Sequence, residues 1–245
     1  MPWSIEDPRL AYDTNLGGFL NILEAAKKHG IRRVVYASSS AVFGDGTGIP
    51  AQEGAEGECL SPYASSKFAQ EIFAQSYSRC YGLELIGLRY FNVFGPRQDP
   101  NGAYAAVIPK WGALMASGRP CVIYGDGSST RDYCHVSNVV EANFRAAGCN
   151  PIQKTFEGDG FCFALNIGCG SETSLLELHQ MMVNAFEQQG IHAKEPQFMP
   201  PRPGDIEKSM ADITRAQTVI GFVPGTSVSE GIDDLIGSGE FAAIR

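Results

Sequence analysis

Apolar residues follow two different spacings in the first part of the chain. Between residues 8 and 29 they fall three or four positions apart, which predicts an amphipathic helix, and Gly30 stands where helices commonly end. Residues 33–37 and 83–90 are short apolar runs, typical of strands buried on both faces of a sheet. A helix is predicted between them, over residues 61–79. The order helix, strand, helix, strand indicates βαβ units and therefore a parallel sheet.

The rest of the chain alternates less regularly, which suits a smaller α/β lobe interleaved with the sheet. Asp212 is expected to cap a short helix, and capping boxes at Ser174 and Ser227, each with a glutamate three residues later, predict two longer ones. The other predicted elements are helices over residues 105–117 and from Ser137 to 147, and strands over 121–124 and 163–167.

Composition and charge narrow the classes of partner. The formal net charge of -8 argues against nucleic acid or an anionic membrane as the main partner. No apolar run approaches the roughly 18 residues of a membrane span, and the first residues do not resemble a signal peptide, so we expect a cytoplasmic protein. The 7 cysteines are scattered and the 4 histidines show no metal-ligand spacing, so reduced thiols and no metal are expected.

A tyrosine and a lysine four residues apart give the strongest chemical signal. Ser61 and Pro62 are typical of a helix N-cap and first residue, which places Tyr63 and Lys67 on one helical face. An ammonium beside a phenol favours the phenolate, so the tyrosine can accept or donate a proton. Such a pair also arises by chance on surface helices. Here a predicted strand that ends in three serines, residues 38–40, precedes it at a plausible distance.

Taken together, several motifs resemble the extended short-chain dehydrogenase/reductase family. Within that family the chain looks most like nucleotide-sugar 4-epimerases that act on UDP-N-acetylglucosamine or its uronic acid. The resemblance covers essentially the whole chain. It rests on residues 4–8, 14–21, 37–44, 61–67, 88–95, 97–104, 125–133, 166–168 and 202–205.

The resemblance implies a partial Rossmann-like, doubly wound parallel sheet with a smaller C-terminal α/β substrate lobe. Residues 1–95 correspond to the C-terminal half of an NAD-binding Rossmann domain, and residues 96–245 mainly to the substrate lobe. Family members begin with a glycine-rich turn that cradles the dinucleotide pyrophosphate, and these 245 residues contain no such turn. We therefore expect doubtful NAD binding and an impaired epimerase. Residues 16–28 and 61–79 are expected to form a four-helix bundle in a homodimer.

The family's catalytic residues correspond to Ser39, Tyr63 and Lys67. By resemblance, Tyr63 exchanges a proton with the sugar 4-hydroxyl, Lys67 assists it and binds the nicotinamide ribose, and Ser39 hydrogen-bonds the reacting oxygen. Asn15 is expected to support the active-site backbone. The three serines could instead satisfy backbone groups at the end of a strand. The residues expected at the cofactor are Ala37, Tyr63, Lys67, Tyr90 and Val93.

The substrate side follows from the same resemblance. Arg131 and Arg202 are expected to bind the diphosphate, because planar guanidinium groups suit its oxygens. Ser209 takes the place of a wall residue beside the hexose 2-substituent, where a large aromatic would exclude an N-acetyl group. A cleft shared with Tyr63 is expected. The full set is Ser38, Ser40, Asn92, Ala106, Val107, Tyr124, Arg131, Arg202, Asp205 and Ser209.

Three functions are compatible with these residues. An NAD-dependent UDP-sugar 4-epimerase is favoured, with hydride removal from C4 coupled to proton transfer to Tyr63. A non-catalytic nucleotide-sugar-binding remnant or pseudoenzyme is the alternative, because the dinucleotide turn is missing. A dehydratase is a lesser alternative, since it would need a pair of carboxylic acids where Ser40 and Ala41 stand.

Overall fold

The computed structural model describes residues 2–44, 48–100, 102, 106–148, 160–201 and 207–241. The helices are α1 (Pro2–Glu6), α2 (Pro8–Ala11), α3 (Gly18–Lys28), α4 (Pro62–Tyr81), α5 (Val107–Ala116), α6 (Val136–Gly148), α7 (Leu175–Gln188), α8 (Thr214–Ile220) and α9 (Val228–Gly237). The strands are β1 (Arg33–Ser39), β2 (Glu84–Tyr90), β3 (Asn92–Phe94), β4 (Val122–Tyr124), β5 (Thr130–Arg131), β6 (Tyr133–His135), β7 (Phe161–Ile167), β8 (Thr173–Ser174) and β9 (Gln197–Met199). A π-helical stretch, Tyr12–Gly17, lies between α2 and α3.

The chain divides into two compact units. The first unit comprises Met1–Phe91, Val139–Ile167 and Ala211–Val223. The second unit comprises Asn92–Asn138, Gly168–Met210 and Pro224–Arg245. Both mix helices with strands, so the predicted α/β class is confirmed.

The first unit is built on a parallel sheet in the order β1-β2-β7. Helices α3 and α4 pack on one face of it through a core that includes Phe19, Leu23, Tyr36, Ala74 and Leu85. A Cβ atom at Gly87 would lie 2.7 Å from the ring of Tyr36, so only glycine lets that ring cross the neighbouring strand. Both strand pairs of this sheet are parallel, so the predicted parallel sheet is confirmed.

Strand β1 is less buried than its sequence predicts. Val34 and Val35 are half-buried and Ala37 is exposed, whereas burial on both faces was expected. Among the described residues β1 pairs only with β2, so it is the edge strand of this sheet. An edge strand has neighbouring side chains on one flank only, which leaves part of its surface open.

Helix starts agree with the sequence except at two positions. The capping boxes at Ser174 and Ser227 are both present. Helix α6 begins at Val136, so Ser137 lies inside it, and its hydroxyl hydrogen-bonds His135 Nδ1 at 2.8 Å instead of capping the helix. Asp212 Oδ1 accepts from Thr214 N at 2.9 Å, which caps α8 from two residues ahead of it.

The second unit has its own core between helices α5, α7 and α9. Its most deeply buried side chains include Phe94, Ile108, Met115, Ile123, Leu178, Met182, Phe186 and Ile232. Three short strand pairs complete it: β3 with β6 and β4 with β9, both parallel, and β5 with β8, antiparallel. Among the residues that the structure describes, no helix has the length and apolar character needed to cross a bilayer.

A buried ion cluster connects helix α4 of the first unit to its sheet. Arg89 on β2 is only 2% exposed, and its guanidinium donates to both carboxylate oxygens of Glu71 on α4, at 2.9 and 2.6 Å. The same guanidinium contacts Glu56 Oε1 at 2.6 Å. Ser38 Oγ on β1 donates to Glu71 Oε1 at 2.5 Å. One ion cluster around Arg89 therefore joins strands β1 and β2, helix α4 and the loop that carries Glu56.

We predict that Arg89→Ala lowers the free energy of unfolding by about 3–5 kcal/mol, because two buried carboxylates lose their counter-charge. Equilibrium unfolding in urea, followed by circular dichroism, measures the loss. Arg9→Ala is the control, because Arg9 forms an exposed ion pair with Asp13, and its removal should leave the midpoint unchanged. A loss below about 1 kcal/mol for Arg89→Ala would show that the cluster does not stabilise the fold.

Candidate functional site

Tyr63 and Lys67 lie on the first turns of α4, as the sequence predicts. Ser61 Oγ accepts from Ala64 N at 3.1 Å and Pro62 is the first helical residue, so the predicted cap is confirmed. Lys67 Nζ donates to the backbone oxygen of Ala37 at 3.0 Å and lies 5.9 Å from the centroid of the Tyr63 ring. The ammonium is thus fixed between strand β1 and the phenol.

The backbone of Tyr63 is held from two directions. Its N–H donates to Ser4 Oγ at 3.1 Å, and its carbonyl accepts from Ser66 Oγ at 2.8 Å. Asn15 Nδ2 donates to the same Ser66 hydroxyl at 2.9 Å, while the Asn15 carbonyl accepts from Gln70 Nε2 at 2.6 Å. Asn15 therefore reaches the backbone of Tyr63 through one intermediary, and its expected supporting role stays a prediction.

Burial changes the acid–base behaviour of Lys67. Its side chain is half-buried, and desolvation lowers the pKa of the ammonium below that of an ordinary lysine. The hydrogen bond to Ala37 occupies one of the three donors of the ammonium. The remaining donors can bind a polar group such as a sugar hydroxyl.

Of the three serines at the end of β1, residues 38–40, two have protein partners for their hydroxyls. Ser39 Oγ accepts from Ala41 N at 3.2 Å and so caps the short turn Ser40–Phe43. Ser38 is buried and donates to Glu71. The alternative that these serines satisfy local groups therefore describes Ser38 and Ser39 as they stand. Their expected roles toward a ligand, and that of Ser40, stay predictions.

Tyr90, expected near the cofactor, ends strand β2 and is half-buried. Its hydroxyl accepts from Asn143 Nδ2 at 2.9 Å, and burial raises the pKa of Tyr90 above its ordinary value. In the first unit, direct contacts therefore join Ala37, Tyr63 and Lys67, while Tyr90 is engaged by a different helix.

The second unit contains a cavity of about 270 Å³. Four residues predicted to bind substrate line it, namely Asn92, Ala106, Val107 and Arg131, and so does Val93, which was expected at the cofactor. The full lining is Asn92, Val93, Phe94, Ala106, Val107, Ile108, Ser129, Arg131, Tyr133 and Leu175. One arginine, one amide and a largely apolar wall thus converge on one space.

Short strands position Arg131 in this cavity. The antiparallel pair β5–β8 sets Arg131 opposite Thr173, and Arg131 Nη1 donates to the Thr130 carbonyl at 2.8 Å. Ser209 N donates to the same carbonyl at 3.2 Å, so Ser209 lies beside the strand that holds Arg131. Asn92 Nδ2 donates to the Asp132 carbonyl at 3.0 Å. The structure therefore brings three predicted substrate residues to one short segment.

Sequence reasoning did not single out Ser129 and Leu175. They meet because Leu175 N donates to the Ser129 carbonyl at 3.1 Å. The preceding turn needs Gly127, whose φ is +80°, and a Cβ there would come within 2.7 Å of Leu176 Cγ. The glycines at 125 and 127 were the available signal, because such turns precede a close approach of backbone to another group.

Other predicted residues are not brought to this cavity. Tyr124 ends strand β4, is half-buried and does not line the cavity. Arg202 and Asp205 lie outside the described residues. Among the described residues, no cluster of histidine, cysteine and carboxylate side chains could hold a metal ion.

The chain is similar to known proteins in sequence and in structure. The model of the NAD dependent epimerase/dehydratase family matches residues 1–155. A UDP-glucose 4-epimerase of Mycolicibacterium smegmatis is 39% identical over 230 residues, which cover 94% of this chain and 69% of that protein.

Two solved structures are also similar. A UDP-N-acetylglucosamine 4-epimerase from Methanobrevibacter ruminantium M1, in complex with UDP-N-acetylmuramic acid, has a TM-score of 0.87 and 32% identity, covering 100% of this chain and 74% of that one. A UDP-glucose 4-epimerase from Thermotoga maritima with UDP-glucose has a TM-score of 0.86 and 32% identity, covering 99% and 73%.

We predict that the ammonium of Lys67 loses its proton at a lower pH than an ordinary lysine, because burial penalises its charged form. Reductive ¹³C-methylation keeps the charge, so a carbon-detected NMR titration reports the midpoint of each lysine. Lys67→Arg identifies the Lys67 signal by its disappearance. A midpoint at or above the ordinary lysine value would contradict the prediction.

Proposed function

Because the chain belongs to the NAD-dependent epimerase/dehydratase family, and within it to the nucleotide-sugar 4-epimerases, we propose that its reaction is the interconversion of UDP-N-acetylglucosamine and UDP-N-acetylgalactosamine. The observation that carries the proposal is the position of Lys67, fixed on the Ala37 carbonyl beside the Tyr63 ring. A phenol next to a fixed cation is suited to taking and returning the proton of a sugar hydroxyl.

Tyr63 is the proposed acid–base group. When the phenolate of Tyr63 takes the proton of the 4-hydroxyl, the phenol becomes neutral and the negative charge passes to the sugar oxygen. The ammonium of Lys67 stabilises the phenolate before the transfer, and its fixed position means that little reorganisation accompanies the transfer. The tether of the Tyr63 backbone to Ser4 and Ser66 keeps the phenol oriented.

The residues near Tyr63 fit the nicotinamide half of NAD. The unused donors of the Lys67 ammonium suit a ribose hydroxyl, which matches the role that the resemblance gives this lysine. NAD, when bound, would accept and return the hydride at C4. The glycine-rich turn that family members use for the pyrophosphate is not among these 245 residues, and the donors near Tyr63 suit the nicotinamide side of the cofactor.

The cavity of the second unit is the proposed nucleotide site. The guanidinium of Arg131 suits a diphosphate, since it presents several donors in a fixed plane. Val107, Ile108 and Leu175 supply an apolar wall for a flat base. A volume of about 270 Å³ is at the small end for a whole ligand, which suits the nucleotide portion of a UDP-sugar.

Ser209 supports the N-acetylhexosamine class. Its backbone is bonded to Thr130, next to Arg131, and its side chain is small and half-buried. A serine at a wall beside the sugar leaves space that a large aromatic side chain would fill. UDP-glucose remains a competing substrate, because a 4-epimerase for it is among the relatives.

A second candidate function is a nucleotide-sugar-binding protein without catalysis. These 245 residues contain no glycine-rich dinucleotide turn, and much of the affinity for NAD in Rossmann domains comes from that turn. A dehydratase is less favoured, since Ser40 and Ala41 stand where the required acids would be.

We further propose a homodimer formed through helices α3 and α4. Three apolar side chains on these helices are exposed: Ile22 at 56%, Ile72 at 50% and Phe73 at 38%. Large apolar groups collected on adjacent helices are typical of a helix–helix interface. A two-fold axis would bring the four helices of two copies together.

We predict that UDP binds this chain more tightly than NAD does, and that Arg131→Ala weakens UDP binding by about 1.5–3 kcal/mol, the range for hydrogen bonds to charged groups. Isothermal titration calorimetry measures both ligands. Arg119→Ala is the matched control, since that arginine is exposed and hydrogen-bonds Ser117. Micromolar NAD binding with no detectable UDP binding would overturn the nucleotide assignment.

Turnover distinguishes the enzyme from the binding protein. With NAD added, conversion of UDP-N-acetylglucosamine should be slow but measurable, and Tyr63→Phe should reduce it by on the order of 10²–10⁴-fold. Tight UDP binding with no conversion would support the non-catalytic function instead. Ser209→Tyr should weaken UDP-N-acetylglucosamine more than UDP-glucose. Equal effects on the two sugars would remove Ser209 as the specificity residue.

For the homodimer, we predict that light scattering gives twice the chain mass at micromolar concentration and that Ile72→Glu with Phe73→Glu gives the single mass. The two charges would be buried without partners in the interface. Val223→Glu, at another exposed apolar residue of the first unit, is the control and should leave the dimer intact. A stable wild-type monomer would refute the proposed interface.

A further inference from the structure

Two cysteines of the second unit lie beside each other. Cys134 is on β6 and is fully buried, while Cys169 follows β7 and is half-exposed. Each thiol shifts the pKa of the other, and Cys134 Sγ donates to the His135 carbonyl at 3.8 Å. The proposed reaction uses neither thiol, and both cysteines are free in this structure.

The backbone on both sides of this pair is fixed. Cys134 lies in the β3–β6 ladder opposite Val93. The buried carboxylate of Asp132 accepts from Cys169 N at 2.7 Å and from Gly170 N at 2.9 Å, which holds the Cys169 turn against the β6 segment. A disulfide requires two backbones held at a suitable distance with side chains that face each other, and the Asp132 contacts hold these two backbones next to each other.

Asn138 supplies a second polar contact to the half-exposed thiol. It is only 3% exposed, and its Nδ2 donates to Cys169 Sγ at 3.8 Å and to the Thr226 carbonyl at 2.7 Å. Its Oδ1 accepts from Gly225 N and Thr226 N at 2.9 and 3.0 Å. The amide is therefore locked in one orientation, with an N–H aimed at the sulfur.

The two thiols are chemically unequal. The neighbouring Cys134 thiol lowers the pKa of Cys169, whereas the Cys169 thiol, together with burial, raises the pKa of Cys134. By contrast, burial raises the pKa of Cys121 to about 12, and that thiol donates to the Trp111 carbonyl. Reactive cysteines combine exposure with a stabilised thiolate and a second thiol nearby, and only Cys169 among these three does so.

We propose that Cys134 and Cys169 form a reversible disulfide when the protein meets hydrogen peroxide, with Cys169 oxidised first. The Cys169 thiolate attacks a peroxide oxygen, so that an S–O bond forms, the O–O bond breaks and hydroxide leaves as water after taking a proton. Cys134 then loses its proton and attacks the Cys169 sulfur. The S–S bond forms, the S–O bond breaks and a second water leaves. Two thiols are oxidised by two electrons, and the peroxide is reduced to two waters.

The modification lies behind one wall of the cavity. Side chains alternate along extended backbone, so Arg131 and Tyr133 face one side of their segment and Asp132 and Cys134 face the other. The first two line the cavity. A disulfide would therefore join the rear of this segment to the Cys169 turn without occupying the cavity. Formation of this disulfide needs no bound nucleotide, so it is expected whether or not the cavity binds one.

Peptide mapping of the whole chain tests the proposal. Protein carrying Cys80→Ser, which removes an exposed thiol, is treated with hydrogen peroxide, alkylated with N-ethylmaleimide and digested. Mass spectrometry should find the Cys134 and Cys169 peptides joined, with the mass of two hydrogens lost, in most of the protein. Dithiothreitol should return both to the alkylated form.

Single substitutions separate the two roles. In Cys134→Ser, Cys169 should accumulate as sulfenic acid that dimedone captures, and in Cys169→Ser, Cys134 should stay reduced. If either variant folds poorly, the peptide map of the protein with both cysteines intact decides whether the disulfide forms. The proposal is wrong if Cys134 and Cys169 both remain alkylated at a peroxide dose that oxidises Cys80 in the wild-type chain, or if Cys169 joins a different cysteine.

Discussion

The buried charge of Arg89 is the constraint on which the first unit depends. A guanidinium that is 2% exposed must have its charge compensated, and Glu71 and Glu56 do so at 2.6 Å. Glu71 belongs to α4, and it also accepts from Ser38 on β1, so the helix has one allowed position over the sheet. Because α4 is rigid, this contact also fixes Lys67 one turn before Glu71. The ion cluster therefore positions Lys67 without touching it.

Local features of the first unit could be predicted from the sequence, whereas this cluster could not. The cap at Ser61 and the shared face of Tyr63 and Lys67 depend on residues a few positions apart, and the structure has both. Arg89 and Glu71 are separated by 18 residues and lie on different elements. Arg89 stood in a recognised motif, but no periodicity shows which carboxylate meets it. Burial of β1 was overestimated for a similar reason, since its hydrophobic run does not reveal that the strand is at an edge.

The cavity shows the same division between local and long-range information. Motif resemblance placed Arg131 and Asn92 at a ligand, and both line one space. Ser129 and Leu175 were missed because their meeting depends on β5 and β8, strands of two residues each, which leave no alternating pattern to detect. Such short pairs are held by individual hydrogen bonds and not by a hydrophobic face. The sequence alone therefore does not reveal which backbone groups these short strands join.

Relatives with the same motifs are named for different sugars, UDP-glucose and UDP-N-acetylglucosamine among them. The groups that act at C4 and on the diphosphate are chemically indifferent to the substituent at C2. Discrimination must therefore come from side chains that bound the sugar, where one residue's volume changes affinity by a limited amount. We propose Ser209 as such a residue, and its backbone is bonded to the carbonyl of Thr130, the neighbour of Arg131. A change of specificity at this position therefore needs only a new side chain, because the hydrogen bond that places it is made by the main chain.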